Sequence, residues 1–446
     1  MILAGGLSTR LYPLTKAVPK PLVPIAGEPN AIHVMRYLRS FGIEEIAINL
    51  HYHAEQIEKR LGDGSACGVR LHYLHEPQLL GSAGAVKQME PFFDETFVVI
   101  GCDDLTDIPL DNVIGFHRDR RALATIALVE AEDVSHYGVV VVDKNGKIVE
   151  FQEKPAPGTE KSHLVNTGVY VFEPEIFKRI PAGEFYDFGK QVFPDLQRDR
   201  AAFYGLEAGG AYWCDIGTPS EYVRATRDVL SGRMRLPGAR RLRGIAKTAQ
   251  IGANVQILGN VQIGERCSVG DRASILGPTV LGDDVSVDSG ATIERSILWD
   301  RGRIRHRAHV VNSILGEGYV VAEDTSLRNV IVAEGEQPVP LYIREPTQAE
   351  LAILDRFREI DFPGRRSLAM LMDSVTSVES DDRDDNGSGG FLELAARLPN
   401  GFLDLSSGDF PLNGWYEDRD GEYVQLLLFA GKDGITLERY KGKGDP

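Results

Sequence analysis

Between residues 2 and 229, short aliphatic runs alternate with stretches that carry apolar residues at helical spacing. Ala47-Ile48-Asn49-Leu50 precedes a helical pattern over 55–61, residues 69–74 precede one over 83–89, and residues 97–100 precede one over 112–118. Strands separated by helices must cross over, and crossovers of this kind make parallel pairs with helices on both faces. The pattern therefore predicts an α/β unit around a mainly parallel sheet, with ligands at the carboxyl ends of its strands. The first run empties into Gly5-Gly6, Asp103 follows the run 97–100, and Asn166-Thr167-Gly168 leads into Val169-Tyr170-Val171-Phe172. Alternation on either side of Asn145-Gly146 predicts a β-hairpin through 140–149, and a helix is predicted over 220–230.

A different period follows a basic, proline-containing linker at 232–244. Ile245, Ile251, Ile257, Ile263, Val269, Ile275, Leu281, Val287 and Ile293 recur every six residues, and the residue four beyond each is mostly small or aliphatic, Cys267 among them. Hexads that each supply one short strand bury their apolar face only by stacking, so the pattern predicts a parallel β-helix over 240–335. The phase slips by one near Leu298 and continues through Ile304 and Val310. In the slipped run, alternation places Arg301, Arg303, Arg305 and Arg307 on the outer surface as one row of cations. A solvated face in an acidic protein is one reading. The sharper one is a dock for an anion: the acidic run 379–385, a partner subunit or a phosphorylated effector.

Beyond residue 336 the patterns are local. Thr347-Gln348-Ala349-Glu350 is a capping box that predicts an amphipathic helix to about residue 360. A polar, acidic linker is expected over 379–390, then a short helix over 391–398 and a hairpin pairing 423–429 with 435–440. Three domains are thus expected: 1–232, 240–335, and a small α+β extension at 336–446 whose function is not readable.

Composition narrows the class. The 446 residues are 43% hydrophobic and 26% charged, ample for two or three cores. No stretch approaches the ~18 apolar residues of a membrane span, and no basic region precedes an apolar signal core. Cys67, Cys102, Cys214 and Cys267 show no metal-ligand spacing, which suits a reduced, cytoplasmic setting. A net charge of −16 argues against a nucleic-acid binder but not against a small phosphorylated substrate held by a few local cations and a metal.

The candidate chemistry begins at the first turn. Paired glycines after a buried strand let backbone N–H groups approach a ligand closely, which makes Leu3-Ala4-Gly5-Gly6 an anion cradle. Arg10 and Lys20 place two cations beyond it, and Pro13, Pro19, Pro21 and Pro24 keep the intervening loop from becoming helical. Neither the P-loop nor the dinucleotide spacing is satisfied. Asp103, at the end of a strand, is a candidate Mg²⁺ anchor, because hard cations take oxygen ligands and Mg²⁺ needs only one or two carboxylates besides phosphates and water. Asp107 reads as loop structure, and His51 and His53 as turn residues.

The string Leu3-Ala4-Gly5-Gly6-Leu7-Ser8-Thr9-Arg10-Leu11, with Pro19-Lys20-Pro21, resembles the signature of the sugar nucleotidyltransferases, L-A-G-G-x-G-T-R-L followed by P-K-P. Ser8 stands where that family has a third glycine. Its first strand also starts a few residues earlier, so a short strand is expected here, and whether the natural start lies upstream of Met1 is left open. The resemblance implies a Rossmann-like domain followed by a left-handed β-helix that serves as an oligomerisation and regulatory platform. Leu3, Ala4, Gly5, Gly6, Arg10, Lys20 and Gly81, the last in a turn similar to L-G-T-A-G, would bind the nucleotide.

Asp103 and Asp215 match the two metal carboxylates, carried by N-G-D-x-x-x-D and W-x-D-I-G-T-P, although Gly101 and Cys102 replace the Asn and Gly of the first. Gly138, Glu153, Lys154 and Asn166 match the positions that line the sugar and its phosphate. Arg10, Lys20 and Asp103 are the implied catalytic residues, and Mg²⁺ the implied cofactor. Cys102 and Cys214, each one before an implied ligand, are expected behind the site in apolar packing.

The activity that the resemblance implies is synthesis of an NDP-sugar and pyrophosphate from a nucleoside triphosphate and a sugar 1-phosphate, by a homo-oligomer. The turn at Gly81 points to a mannose-1-phosphate guanylyltransferase. Glucose-1-phosphate uridylyl- or thymidylyltransferases and a catalytically silent regulatory homologue are the alternatives. Acyl transfer by the β-helix would need a histidine base, and His306 and His309 sit in no motif for it.

Overall fold

The computed structural model describes residues 1–131, 134, 136–156, 158–237 and 244–341, and beyond them the strands at 375–381, 391–396, 413–417, 423–431 and 434–441. The chain forms two compact units, 1–217 with 224–243, and 218–223 with 244–446.

In the first unit the aliphatic runs become strands and the helical patterns become helices. They are β1 (Ile2–Leu3), α1 (Asn30–Ser40), β2 (Glu45–Leu50), α2 (Ala54–Leu61), β3 (Arg70–His75), α3 (Gly81–Gln88), β4 (Phe97–Gly101), β5 (Asp104–Thr106), α4 (Leu110–Asp119) and β6 (Ala124–Glu130). Then come β7 (Gly138–Val142), β8 (Ile148–Glu153), β9 (Leu164–Phe172), α5 (Phe193–Arg198), β10 (Phe203–Glu207) and β11 (Trp213–Asp215), followed by α6 (Pro219–Ser231), of which only 224–231 belong to this unit. The main sheet runs β8-β7-β9-β4-β1-β2-β3, with β6 on β9 and β10 on β6. Strands β3, β2, β1 and β4 are parallel, the Rossmann-like part, whereas β9 runs antiparallel to β4, β6 and β7. The expected hairpin joins β7 to β8 antiparallel around Asn145-Gly146.

Alternation along the central strands sorts side chains to two faces. Ile2, Ile48 and Ile100 pack with Val34, Leu38, Ile57 and Val113 of α1, α2 and α4. Ala47, Phe97 and Val99 pack on the other face with Ala83 and Val86 of α3 and with Phe172, Phe188 and Phe193. Full burial of an isoleucine contributes about 1.5–3 kcal/mol, so this narrow centre is where the unit is best secured. Register then sets the site: Leu3 lies opposite Asn49 on one side and Gly101 on the other. The carboxyl ends of β1, β2 and β4 therefore open side by side.

In the second unit the hexads form three sheets of short parallel strands, consistent with a left-handed β-helix. Ile263, Cys267, Ala273, Ile275, Ile293 and Ile304 fill the interior. The phase slip has a local cause. Leu276 pairs with Glu294 and Val280 with Ile297, so the two-residue corner Gly277-Pro278 is replaced by Arg295 alone. A one-residue corner needs a left-handed backbone, which Arg295, Asn312 and Asn329 adopt in successive coils at φ 46°, 46° and 51°. Asn312 Nδ2 donates to Asn329 Oδ1 at 2.8 Å, stacking two of these corners.

The expected row of cations is exposed but is not a row. Arg301 and Arg307 occupy left-handed corners, and three of the four arginines meet acids of neighbouring coils. Arg301 pairs with Glu317, Arg305 with Asp288 at 3.8 Å, and Arg307 with Asp324 at 2.6 Å. Stacking brings each coil's charges against the next, and hexad alternation alone does not reveal that.

Beyond the β-helix, five strands form an antiparallel sheet, Val375–Asp381, Phe391–Ala396, Gly434–Lys441, Tyr423–Gly431 and Asn413–Glu417 in spatial order. The hairpin expected over 423–440 is present. The helix expected over 391–398 is not: residues 391–396 are a strand paired on both sides, because a short apolar run takes its conformation from available partners. Residues 379–381, expected in a linker, end the first of these strands. The helix expected from the capping box at 347–350 lies outside the described residues.

Candidate active site

The glycine turn is braced from below by a buried polar pair. The Ala4 N–H donates to Asn49 Oδ1 at 2.9 Å, and Asn49 Nδ2 donates to Glu76 Oε2 at 2.6 Å. A Cβ on Gly5 would stand 2.8 Å from that Asn49 nitrogen, so this position excludes a side chain. Above Gly6 the corresponding space is open. Ser8 adopts φ 57°, the left-handed region that explains a glycine in the resembled motif, and its carbonyl accepts from Thr15 Oγ1 at 2.7 Å. These residues enclose a cleft of about 270 Å³ whose lining includes Leu3, Ala4, Gly6, Arg10, Lys20 and Asp103.

Asp103 lines that cleft, and Asp215, from a distant part of the chain, meets the same lysine. Asp103 follows β4, and Asp215 ends β11, which pairs antiparallel with β5 so that Asp215 faces Asp104. Lys20, nearly buried, is bonded through Nζ to Asp103 and stands 3.4 Å from Asp215 Oδ1. Arg10 Nη2, more exposed, lies 3.6 Å from Asp215 Oδ2. Burial alone would lower the Lys20 pKa, but the two carboxylates raise it well above its ordinary value, so the ammonium is permanent. Burial also acts on Asp103, where the Lys20 charge wins and holds the carboxyl below its usual range. Asp215 goes the other way, raised by burial and by the Asp103 charge against Lys20 and Arg10.

This donor set suits a hard divalent cation. Both carboxylates are oxygen donors converging on the point where the Lys20 ammonium sits. Among the described residues, no group of three or more His, Cys, Asp or Glu side chains is arranged to hold a metal by itself. Two carboxylates completed by substrate phosphates is the pattern Mg²⁺ favours.

The other predicted residues lie outside the lining of this cleft, on or beside β7, β8, β9 and the start of α3. Gly138 pairs with Glu153 across the β7–β8 hairpin, and a Cβ there would stand 3.2 Å from Glu153 Oε2. Burial raises the Glu153 pKa against the opposing charge of Lys154. Lys154 has φ 47° and donates its N–H to the Tyr137 carbonyl at 3.2 Å. Asn166 sits at an irregularity of β9, where Oδ1 accepts from the Gly168 N–H and Nδ2 donates to Tyr170 Oη, each at 3.0 Å. Gly81 opens α3 at φ 76°, with the Tyr186 carbonyl 2.6 Å from where a Cβ would be. Leu80, just before it, donates its N–H to Glu76 Oε1 at 3.4 Å, so Glu76 ties the Gly81 turn to Asn49 and the Gly5 turn.

Asn49, Glu76 and Asp104 are absent from the sequence expectations. Asn49 carries a signal, a polar residue inside an aliphatic strand, whereas the roles of Glu76 and Asp104 depend on contacts made across the sheet. Cys102 is buried in the apolar core, where burial pushes its thiol up, but it also lines the cleft beside Asp103 and so is not wholly behind the site. Cys214 is buried but not in purely apolar packing: its sulfur accepts from Arg224 Nη2 at 3.3 Å. His51 and His53 bond backbone carbonyls, of Glu76 and Lys16, and Asp107 accepts the Tyr212 N–H at 2.6 Å, all structural turn roles.

Comparison with known proteins gives the family. Residues 1–232 match the family described as Nucleotidyl transferase, and residues 243–337 match the GMPPB C-terminal domain. The chain is 35% identical over 382 residues to the UTP–glucose-1-phosphate uridylyltransferase of Synechocystis sp., covering 79% of this chain and 98% of that protein. It is 35% identical over 235 residues to the mannose-1-phosphate guanylyltransferase of Mycobacterium tuberculosis, covering 52% of this chain and 64% of that one. It is also 35% identical over 227 residues to the mannose-1-phosphate guanylyltransferase catalytic subunit beta of Drosophila melanogaster, covering 50% and 60% respectively. The chain thus spans under two thirds of the guanylyltransferases it matches. A match over more than half of its residues, and a relative aligned almost end to end, assign this chain to the nucleotidyl transferase family.

Proposed function

We propose that this protein joins a nucleoside triphosphate to a sugar 1-phosphate. A phosphate oxygen of the sugar 1-phosphate attacks the α-phosphorus of the triphosphate, the bond to the β-phosphate oxygen breaks, and pyrophosphate leaves an NDP-sugar behind. The observation that carries this reading is that Lys20 meets both Asp103 and Asp215 while Lys20, Asp103 and Gly6 line one cleft. The nucleophile is already anionic near neutral pH, so no protein base is needed, and positioning and charge neutralisation do the catalysis.

The Leu3 to Gly6 backbone and Arg10 hold the triphosphate, and Gly81 lies under the base. Lys20 opposes charge that develops at the α-phosphate. Asp103 and Asp215 would hold Mg²⁺, which when bound neutralises both phosphates and draws them together. Glu153 accepts from sugar hydroxyls, Lys154 meets the sugar's phosphate, and Gly138 and Asn166 line the ring.

Mannose 1-phosphate with GTP is the preferred pair, supported by the guanylyltransferase relatives and by the match of the second unit. Glucose 1-phosphate with UTP is the second reading, favoured by the relative aligned over nearly its whole length. The reading also includes a cytoplasmic homo-oligomer assembled through the β-helix, to be checked by light scattering. Pyrophosphate release from each pair, with dTTP as a third triphosphate, decides the substrate. Silence with every pair would leave a non-catalytic homologue.

A further inference from the structure

Asp104 is almost fully buried at the start of β5, and its oxygens are used within the fold. Oδ2 accepts the Gly101 N–H at 3.1 Å, and Oδ1 accepts the Trp213 indole N–H at 3.0 Å. A Cβ built on Gly101 would stand 2.5 Å from Oδ2, and one built on Gly168 would stand at the same distance. One carboxylate oxygen is thus wedged against two glycines from different strands. Neither position accepts a side chain while Asp104 is present.

Each contacted element carries part of the candidate site. Gly101 ends β4, two residues before Asp103. Trp213 begins β11, whose last residue, Asp215, faces Asp104 in the ladder. Gly168 donates its N–H to Asn166. Trp213 also packs edge-on against Tyr137, ring centroids 5.1 Å apart, and the Tyr137 carbonyl holds the Lys154 N–H. Without Asp104 the Gly101 N–H would lose this acceptor, which is costly in a buried site, whereas the Trp213 indole would keep only its bond to the Thr167 carbonyl at 2.8 Å.

We propose that Asp104 is a positioning residue that fills, from the next strand, the space left by Gly101 where the resembled motif has asparagine. It thereby holds Asp103, Asp215 and Asn166 at a common spacing. The effect on turnover rests on the catalytic reading above, whereas the packing relationship does not.

The test is a double-mutant cycle in the full chain with Asp104→Ala, Gly101→Asn and the double variant. Asp104→Ala is expected to lower kcat about 10²-fold through misplaced ligands, with the KM for triphosphate little changed because Asn49 and Glu76 brace the Gly5 turn separately. Gly101→Asn alone is expected to lower Tm by collision with Asp104. The double variant should regain about tenfold in kcat over Asp104→Ala and should melt above Gly101→Asn, a non-additivity that distant sites do not show. Unchanged kcat in Asp104→Ala, or strictly additive losses, overturns the proposal. Should Asp104→Ala fail to fold, Asp104→Ser, which still vacates the space beside Gly101, takes its place with the same outcomes. If the unmodified protein turns over no substrate pair, the functional reading fails, and the Tm cycle alone still decides the packing relationship.

Discussion

Lys20 Nζ lies 3.4 Å from Asp215 Oδ1 while bonded to Asp103, so one ammonium is shared by two carboxylates from distant segments of the first unit. This lysine is central because it neutralises the pair and faces the cleft. Lys20→Ala is expected to lower kcat on the order of 10²-fold or more, with a smaller change in triphosphate affinity. Steady-state kinetics beside a direct binding titration separates the two, and an effect confined to KM would make Lys20 a binding residue only.

Asp103→Ala and Asp215→Ala should each abolish metal-dependent turnover. Asp215→Ala should leave Tm unlowered, because Asp215 is already raised by burial and by the Asp103 charge, whereas Asp103→Ala should lower Tm by taking the bonded partner of the nearly buried Lys20. Mg²⁺ titration of activity together with thermal melts checks this. Wild-type-like turnover in either variant would remove that residue from the site.

Asn49→Ala should leave the Ala4 N–H and Glu76 without their partner, costing about 1–3 kcal/mol of stability. Because Asn49 braces the glycine turn, the KM for triphosphate should rise while that for sugar 1-phosphate holds. A lowered Tm with both constants unchanged would mean that Asn49 serves the fold alone.

Stability should fall on acidification through two buried histidines. Burial lowers the pKa of His33 against Glu28, with Arg36 adding to the fall, and burial lowers that of His117 against Glu173. The folded values lie below the unfolded one, so between them the unfolded chain binds more protons. The contribution is complete above about pH 6.5 and is lost as pH falls toward the folded values. Denaturant melts between about pH 7.5 and about pH 5.5 should show a shallower loss for His33→Gln than for the parent. Equal slopes would exclude His33 as a contributor.

Arg307→Glu sets a third negative charge beside Asp324 and Glu323 on the β-helix surface. Tm should drop at low salt and recover as salt rises, since these groups are exposed and screened. A drop independent of salt would point to corner geometry rather than charge.

The amino-acid order by itself determines whatever repeats or clusters locally. The alternation of aliphatic runs with helices fixes the parallel half of the sheet, the six-residue period fixes the β-helix, and Gly5-Gly6, Lys20, Asp103 and Asp215 stand out as strings of characteristic chemistry. The phase slip near Leu298 is legible too, though not its cause in the one-residue corner at Arg295.

Tertiary structure decides the rest. Residues 391–396 become a strand because strands lie on both sides of them. The arginines of 301–307 find acids because stacking coils align distant positions. Asn49, Glu76 and Asp104 acquire their roles only when strand register sets Leu3 between Asn49 and Gly101, and Asp215 against Asp104. Periodicity reports which face of an element is apolar. It does not report which buried polar atoms will meet, because a hydrogen bond depends on distances that only the packed sheet defines.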